Sequence, residues 1–212
     1  MRRIIQLIIL TSISAGAAEI IALGGGNHQA WVDDSTIILD GISWHSGALI
    51  SEGITFRRTN LTIAAETGLI YQYEKYHDVL NFQDEFGEVY DSADAYWKYD
   101  NLIVPLHLKG SMDFASRINV GLGSGISVVR PLTGKSWMQQ EKEEPLYEWE
   151  LERDQMDTYL AFQIKGEAGI KIIPRLWIKA AVTGQYKVAD LSAEVFVNKR
   201  AYFASLGLAF RL

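Results

Sequence analysis

The chain has 212 residues, a net charge of −6, 48% hydrophobic residues and no cysteine. This length suggests one domain, and so high an apolar fraction excludes a disordered chain. Without cysteine there is no disulfide framework and no thiolate chemistry, and a lipid anchor on an N-terminal cysteine is ruled against.

The N-terminus has the order of a secretory signal peptide. Arg2 and Arg3 form a positive start, Ile4 to Ile13 an apolar core, and Ser14 to Ala18 a run of small residues. The expected division is therefore a signal peptide over 1–18 and a single barrel domain over 19–212. Losing Arg2 and Arg3 takes the charge from −6 to −8. So acidic a mature chain is a poor nucleic-acid binder, because phosphate contacts need clustered Lys and Arg. Beyond the leader no apolar window of about 18 residues occurs, so no membrane-spanning helix is expected.

Glu19 to Trp31 is expected to form strand one, with Gly24, Gly25 and Gly26 placed where a barrel bends. Val32 to Asp40 reads as a loop. Gly41 to Phe56 is strand two, with Trp44, Ala48, Ile50, Ile54 and Phe56 on one parity. Glu52 breaks that parity, which suggests a bulge or a rim position. Arg57 to Asn60 is a tight turn. Leu61 to Tyr73 is strand three, and Glu74 to Trp97 a long acidic loop.

The stretch Leu102 to Arg130 carries the clearest pattern. Leu102, Val104, Leu106 and Leu108 alternate with Ile103, Pro105, His107 and Lys109. After SMDFASR, Ile118, Val120, Leu122, Ile126 and Val128 alternate with Asn119 and small residues. Period two in two adjacent segments predicts a hairpin, strands four and five. One face is apolar, and the other holds His107, Lys109 and Asn119. That is the pattern of a strand pair between lipid and a polar interior. Pro131 to Met156 reads as a second long loop, in which Glu148, Glu150 and Glu152 alternate with Trp149 and Leu151 as in a strand above the membrane. Strands six (Asp157 to Ile172), seven (Leu176 to Lys187) and eight (Ala201 to Leu212) follow.

The links alternate short and long, and the strand number is even. Both properties belong to outer-membrane barrels, with short periplasmic turns and long outer loops. The expected fold is all-β: an eight-stranded antiparallel up-and-down transmembrane β-barrel. Aromatic girdles are expected at the two rims, from Tyr71, Tyr73, Tyr76, Tyr96, Trp97 and Tyr99 at one and Phe56, Phe114, Trp177 and Phe210 at the other.

Tyr99 to Lys135 (YDNLIVPLHLKGSMDFASRINVGLGSGISVVRPLTGK) resembles the outer-membrane β-barrel domain of the PorT-like family of Bacteroidetes. Gly47 to Tyr76 resembles its second hairpin, and Ala201 to Leu212 its closing strand, ending here in Leu212 instead of the usual Phe. The resemblance implies a fold and a location, with the barrel assembly machinery and outer-membrane lipid as partners. It implies little about activity.

Inward parity collects Glu66, His107, Lys109, Lys165, Glu167, Lys171, Lys179 and Arg211. An eight-stranded barrel is just wide enough for its side chains to fill, so these are expected to form a polar plug in preference to an ion path. His45 and Ser46 are neighbours on a strand, point to opposite faces, and cannot pair. His28, His77 and His107 are scattered, and the acidic loops do not match a calcium loop. No catalytic, cofactor or metal site is therefore expected. The reading is an integral outer-membrane protein with a structural or surface-binding role. The alternatives are an accessory of a secretion or uptake system, with a periplasmic or surface protein as partner, and a lipid-modifying enzyme.

Overall fold

The computed structural model describes residues 18–33, 36–56, 60–83, 89–114, 116–139, 147–152, 156, 158–191 and 198–212. Residues 1–17 of the expected signal peptide, and Arg57, Arg58 and Thr59 of the expected tight turn, lie outside the described residues. Nine strands follow in order: β1 (Glu19–Asp33), β2 (Thr36–Phe56), β3 (Leu61–Gln83), β4 (Val89–Phe114), β5 (Ile118–Gln139), β6 (Tyr147–Glu150), β7 (Tyr159–Ile173), β8 (Leu176–Asp190) and β9 (Asn198–Arg211).

Eight of them form one antiparallel ring in the order β4-β3-β2-β1-β9-β8-β7-β5, closed by β4 on β5. Ring closure leaves no open edge, the condition for strands to sit in lipid without unpaired backbone groups. The ninth, β6, lies on the far end of β5, with Lys135 opposite Glu150 and Met138 opposite Tyr147. It covers the first part of the Glu148 to Glu152 alternation noted within the second long loop.

The central hairpin has the register its alternation required. Leu106 faces Ile126 and His107 faces Gly125 across β4 and β5. Outward residues on this pair are apolar and open to the surroundings, Leu122 at 71% exposure. Inward ones are closed and include the charged or polar His107, Lys109 and Asn119, with Lys109 at 3%. The same inversion runs round the ring, with Ile164, Val182 and Leu206 exposed while Glu66, Lys165 and Glu167 are buried. A water-soluble protein distributes its residues the other way; an apolar belt round a polar lumen suits a bilayer.

Two of the three short turns, those after β2 and β4, use a left-handed residue. Asn60 has φ 53° and Ser116 has φ 56°, and Asn tolerates that region better than most residues. The ladder runs unbroken past Glu52, with Ser51 opposite Glu66 and Gly53 opposite Ala64. The expected bulge is absent there, and Glu52 sits exposed on the outer face toward the short-turn rim.

The long-loop rim departs most from expectation. Glu74 to Gln83 and Val89 to Trp97, read as loop, are strand, and the β3–β4 ladder continues from Tyr73 opposite Asp100 to Gln83 opposite Val89. β2 likewise begins at Thr36, and β5 continues to Gln139. Clear of the bilayer both faces of a strand can be polar, so the apolar alternation that marks strands fades while backbone pairing continues. The wall of β3, β4, β5 and β6 thus projects beyond the β7–β8–β9 side by roughly 30 Å of strand, at about 3.3 Å per residue.

The aromatic rims are also corrected. Phe56, Phe114 and Phe210 do face outward, but Trp177 is 2% exposed and turned into the lumen. Tyr76 is buried inside, edge-on to Tyr99 at 6.2 Å. Trp97 and Tyr99 share its inward parity. Tyr71 and Tyr73 remain on the outer face, where both pack against Trp44.

Ile164 lies midway along the outer belt, in the row of Leu108 and Ser124. Ile164→Arg should lower stability by about 2–4 kcal/mol, whereas Ile173→Arg, at the short-turn rim, should cost about 0–1 kcal/mol. Urea unfolding in lipid vesicles would measure both. Equal losses would mean that the belt is not immersed.

Candidate functional site: the barrel interior

Four strands carry the central polar side chains into the lumen. β3 supplies Glu66, β4 supplies His107 and Lys109, β7 supplies Gln163, Lys165 and Glu167, and β8 supplies Lys179. Between β4 and β7 lies β5, whose inward positions are Gly121, Gly123 and Gly125. This glycine column makes room for the charges on either side. A Cβ on Gly121 would stand 3.0 Å from Glu167 Cγ, and one on Gly125 would meet the Leu106 carbonyl oxygen at 2.0 Å. The run VGLGSGI is thus the complement of large side chains on the two flanking strands.

Glu66, 0% exposed, receives hydrogen bonds from Lys165 Nζ at 2.7 Å and Lys109 Nζ at 3.1 Å. Glu167 takes Lys179 at 3.0 Å, Lys109 at 3.1 Å and Lys165 at 3.2 Å. Glu19, from β1, takes Lys179 at 2.5 Å and Arg211 at 3.3 Å. Arg211 also donates to both oxygens of Asp113, at 2.7 and 3.1 Å, and Asn119 Nδ2 donates to Asp113 at 2.7 Å. Four carboxylates, Glu19, Glu66, Asp113 and Glu167, thereby face four cations, Lys109, Lys165, Lys179 and Arg211. Each charge has opposite neighbours, the condition under which a buried ion is tolerated.

His107 carries the network upward. Its ring nitrogens lie 3.3 Å from Glu66 Oε1 and 2.5 Å from Gln163 Oε1, and Gln163 Nε2 donates to Gln185 at 2.6 Å. Above this level an apolar layer crosses the lumen: Ile103, Val129, Tyr159, Ala161, Ala201 and Phe203, with Ile70 against them. A second apolar cluster of Ile21, Leu49, Trp177 and Ala209 packs beside the ions. Beyond the upper layer is another charged group. Lys199 donates to Glu74 at 2.6 Å, Tyr76 donates to the same oxygen at 2.8 Å, and Lys187 pairs with Asp190.

Seven of the eight residues singled out from sequence meet in this interior. Lys171 does not join the ion pairs: at the short-turn rim, its ammonium stands 6.0 Å from the Trp177 ring centre. Sequence reading missed Glu19, Asp113, Glu74, Lys187, Asp190 and Lys199. The signal for Glu74 and Lys199 was parity, since Glu74 continues Glu66 and Gln72 and Lys199 precedes Ser205 and Arg211 on alternate positions. The Asp190 position follows a register shift between Leu160 and Ala161, which no alternation announces.

His45 and Ser46 do point to opposite faces. His45 instead has its Nε2 2.9 Å from Ser205 Oγ. Its Nδ1 has no hydrogen-bond partner, so among the described residues no carboxylate orients this pair as a third member would. The adjoining cavity measures about 30 Å³, with His45, His107, Gln163 and Phe203 in its lining. That is room for about two waters.

Removing one partner from a buried ion network strands the rest, at about 3–5 kcal/mol. Glu66→Ala and Glu167→Ala should each lose stability in that range by urea unfolding in vesicles. Lys171→Ala should change it by less than about 1 kcal/mol. Gly121→Leu should also unfold more readily, since its side chain would occupy the Glu167 position. A Glu66→Ala protein as stable as the parent would show that the charges are hydrated rather than paired.

No family model matches the chain, so none stands behind the PorT-like resemblance, and no curated protein matches it. Solved bacterial outer-membrane β-barrels do. The attachment invasion locus protein Ail of Yersinia pestis, in complex with the heparin analogue sucrose octasulfate, is 12% identical with TM-score 0.42, covering 92% of this chain and 99% of Ail. The N-terminal β-barrel domain of Pseudomonas aeruginosa OprF is 14% identical with TM-score 0.45, over 93% and 98% of the two chains. The outer-membrane protease OmpT of Escherichia coli is 7% identical with TM-score 0.47, over 93% and 97%.

Proposed function

We propose that this chain is an integral outer-membrane protein, delivered by a cleaved signal peptide at 1–18 and inserted by the barrel assembly machinery. Its role is structural or surface-binding, without catalysis and without a conducting pore. The observation that carries this reading is the filled lumen. A layer of paired charges and a layer of apolar side chains both cross it, one above the other. An ion entering the apolar layer would give up its hydration with nothing in return. A cavity of about 30 Å³ has no space for a substrate beside His45 and Ser205.

The tall wall of β3 to β6 is then the working surface. It stands on the long-loop side, which by the asymmetry of such barrels faces outward from the cell. A role as accessory to an export or uptake system would use this wall as its contact face.

Two measurements test the proposal together. The mature chain should be recovered only in the outer-membrane fraction with detergent. In planar bilayers the purified protein should give no stable single-channel steps. Recovery as a soluble periplasmic protein would overturn the location, and reproducible conductance steps would overturn the plugged lumen.

A further inference from the structure

The outer face of the tall wall carries an arrangement that a bare solvated surface does not favour. Lys75 on β3 is directly opposite Lys98 on β4, and Lys98 is directly opposite Lys135 on β5. Adjacent strands are about 4.8 Å apart, and like charges placed opposite one another on one face repel. At the β6 end of the row, Lys135 meets Glu148 at 2.9 Å and Glu150 at 3.9 Å. Lys75 and Lys98 have no carboxylate within ion-pair distance among the described residues. The one acid beside the row on the membrane side, Asp100, is occupied: Tyr71 OH and Thr133 Oγ1 donate to its two oxygens.

Aromatic rings bracket the lysines above and below. Tyr96 and Trp137 stack at 5.2 Å, and Lys75 Nζ stands 4.9 Å from the Tyr96 ring centre. On the other side Lys98 Nζ is 5.1 Å from the Tyr73 ring, which stacks on Trp44 at 5.9 Å. Such rings settle at the headgroup level of a bilayer. The height agrees. From Leu61 to Tyr73 the outer residues of β3 span about 12 residues, which at about 3.3 Å each and a tilt near 40° rise roughly 30 Å, the thickness of the hydrocarbon layer. Lys75 is the next outward position. The lysine row therefore stands just above the apolar belt, where lipid phosphates lie.

We infer that Lys75, Lys98 and Lys135 form a binding site for the phosphate-bearing headgroup of an outer-leaflet lipid, with Tyr73, Tyr96 and Trp137 seating the lipid beside it. This rests on the membrane reading above. A phosphate oxyanion bridging the row supplies the counter-charge that Lys75 and Lys98 lack, and acyl chains descending from it run along the belt formed by Leu69, Leu106 and Ile126 on the same strands.

The test uses the full mature chain refolded into phosphatidylcholine vesicles and then nanodiscs. These contain a small fraction of lipid A bearing both phosphates, or the same lipid dephosphorylated. Retained lipid is counted by native mass spectrometry. Phosphorylated lipid A should be held preferentially. The triple variant Lys75→Gln, Lys98→Gln, Lys135→Gln should weaken that retention by about tenfold to a hundredfold. The corresponding Lys→Arg triple should keep it, and Lys171→Gln with Arg175→Gln, at the opposite rim, should leave it unchanged. Folding of each variant is checked by its heat-shifted mobility on a gel, and the single Lys98→Gln change serves if the triple variant does not fold.

If the wild type fails to float with vesicles, the membrane reading falls and this inference with it. If it inserts but holds both lipids equally, or if Lys98→Gln retains full preference, only this inference falls. Release of the lipid by millimolar inorganic phosphate would reassign the row as a free-phosphate site and overturn the lipid assignment.

Discussion

The seam between β1 and β9 is the constraint on which the rest depends. Glu19 is opposite Arg211 there, Ile20 is opposite Phe210, and the Arg211 guanidinium reaches the Glu19 carboxylate at 3.3 Å. Until that seam closes, two strands present unpaired donors and acceptors, which lipid cannot satisfy. The same two side chains belong to the ionic layer, through Lys179 and Asp113. Closing the ring therefore also completes its ionic layer, because Glu19 and Arg211 come together only when the first and last strands meet.

A ring of eight strands leaves a lumen that side chains must fill, and this chain fills it unevenly. Glycines on β5 stand opposite the large polar groups of β4 and β7, so bulk on one side is matched by its absence on the other. The three lysines and three glutamates at the centre lie within about one hydrogen bond of each other, which holds β1, β3, β4, β7 and β8 in register across the lumen as well as along the wall. Such a network tolerates little change in shape. It makes the barrel a rigid base, and leaves variation in chemistry to the wall that stands above it.

That wall has a different logic. Below, the outward residues are apolar and undifferentiated, as a fluid solvent requires. Above, they become a patterned surface of aromatic stacks, lysines in register and a few spoken-for acids. Tyr71, Tyr73 and Trp44 mark the boundary. On β3 the change from Tyr73 to Lys75 takes one step of outward parity.

The fold was legible in the sequence because a barrel in lipid has a strict local signature. Every membrane strand must alternate, since successive side chains face opposite solvents. Leu102 to Arg130 therefore identified the hairpin, its parity, and the inward positions of His107 and Lys109. Parity alone picked out seven of the side chains that meet in the interior, but not Glu19, Asp113 or Glu74. The length of the upper strands was not legible, because where water lies on both sides alternation carries no penalty and leaves no trace. Trp177 and Tyr76 were misplaced for a related reason: an aromatic residue is apolar enough for the belt and large enough to fill the lumen. The partners within the interior could not be read at all. Glu66 and Lys165 are far apart in sequence, and so are Lys75 and Lys135. Parity gives each residue its face, but pairing across the lumen and along the outer wall depends on strand order, shear and closure, which exist only once the ring has formed.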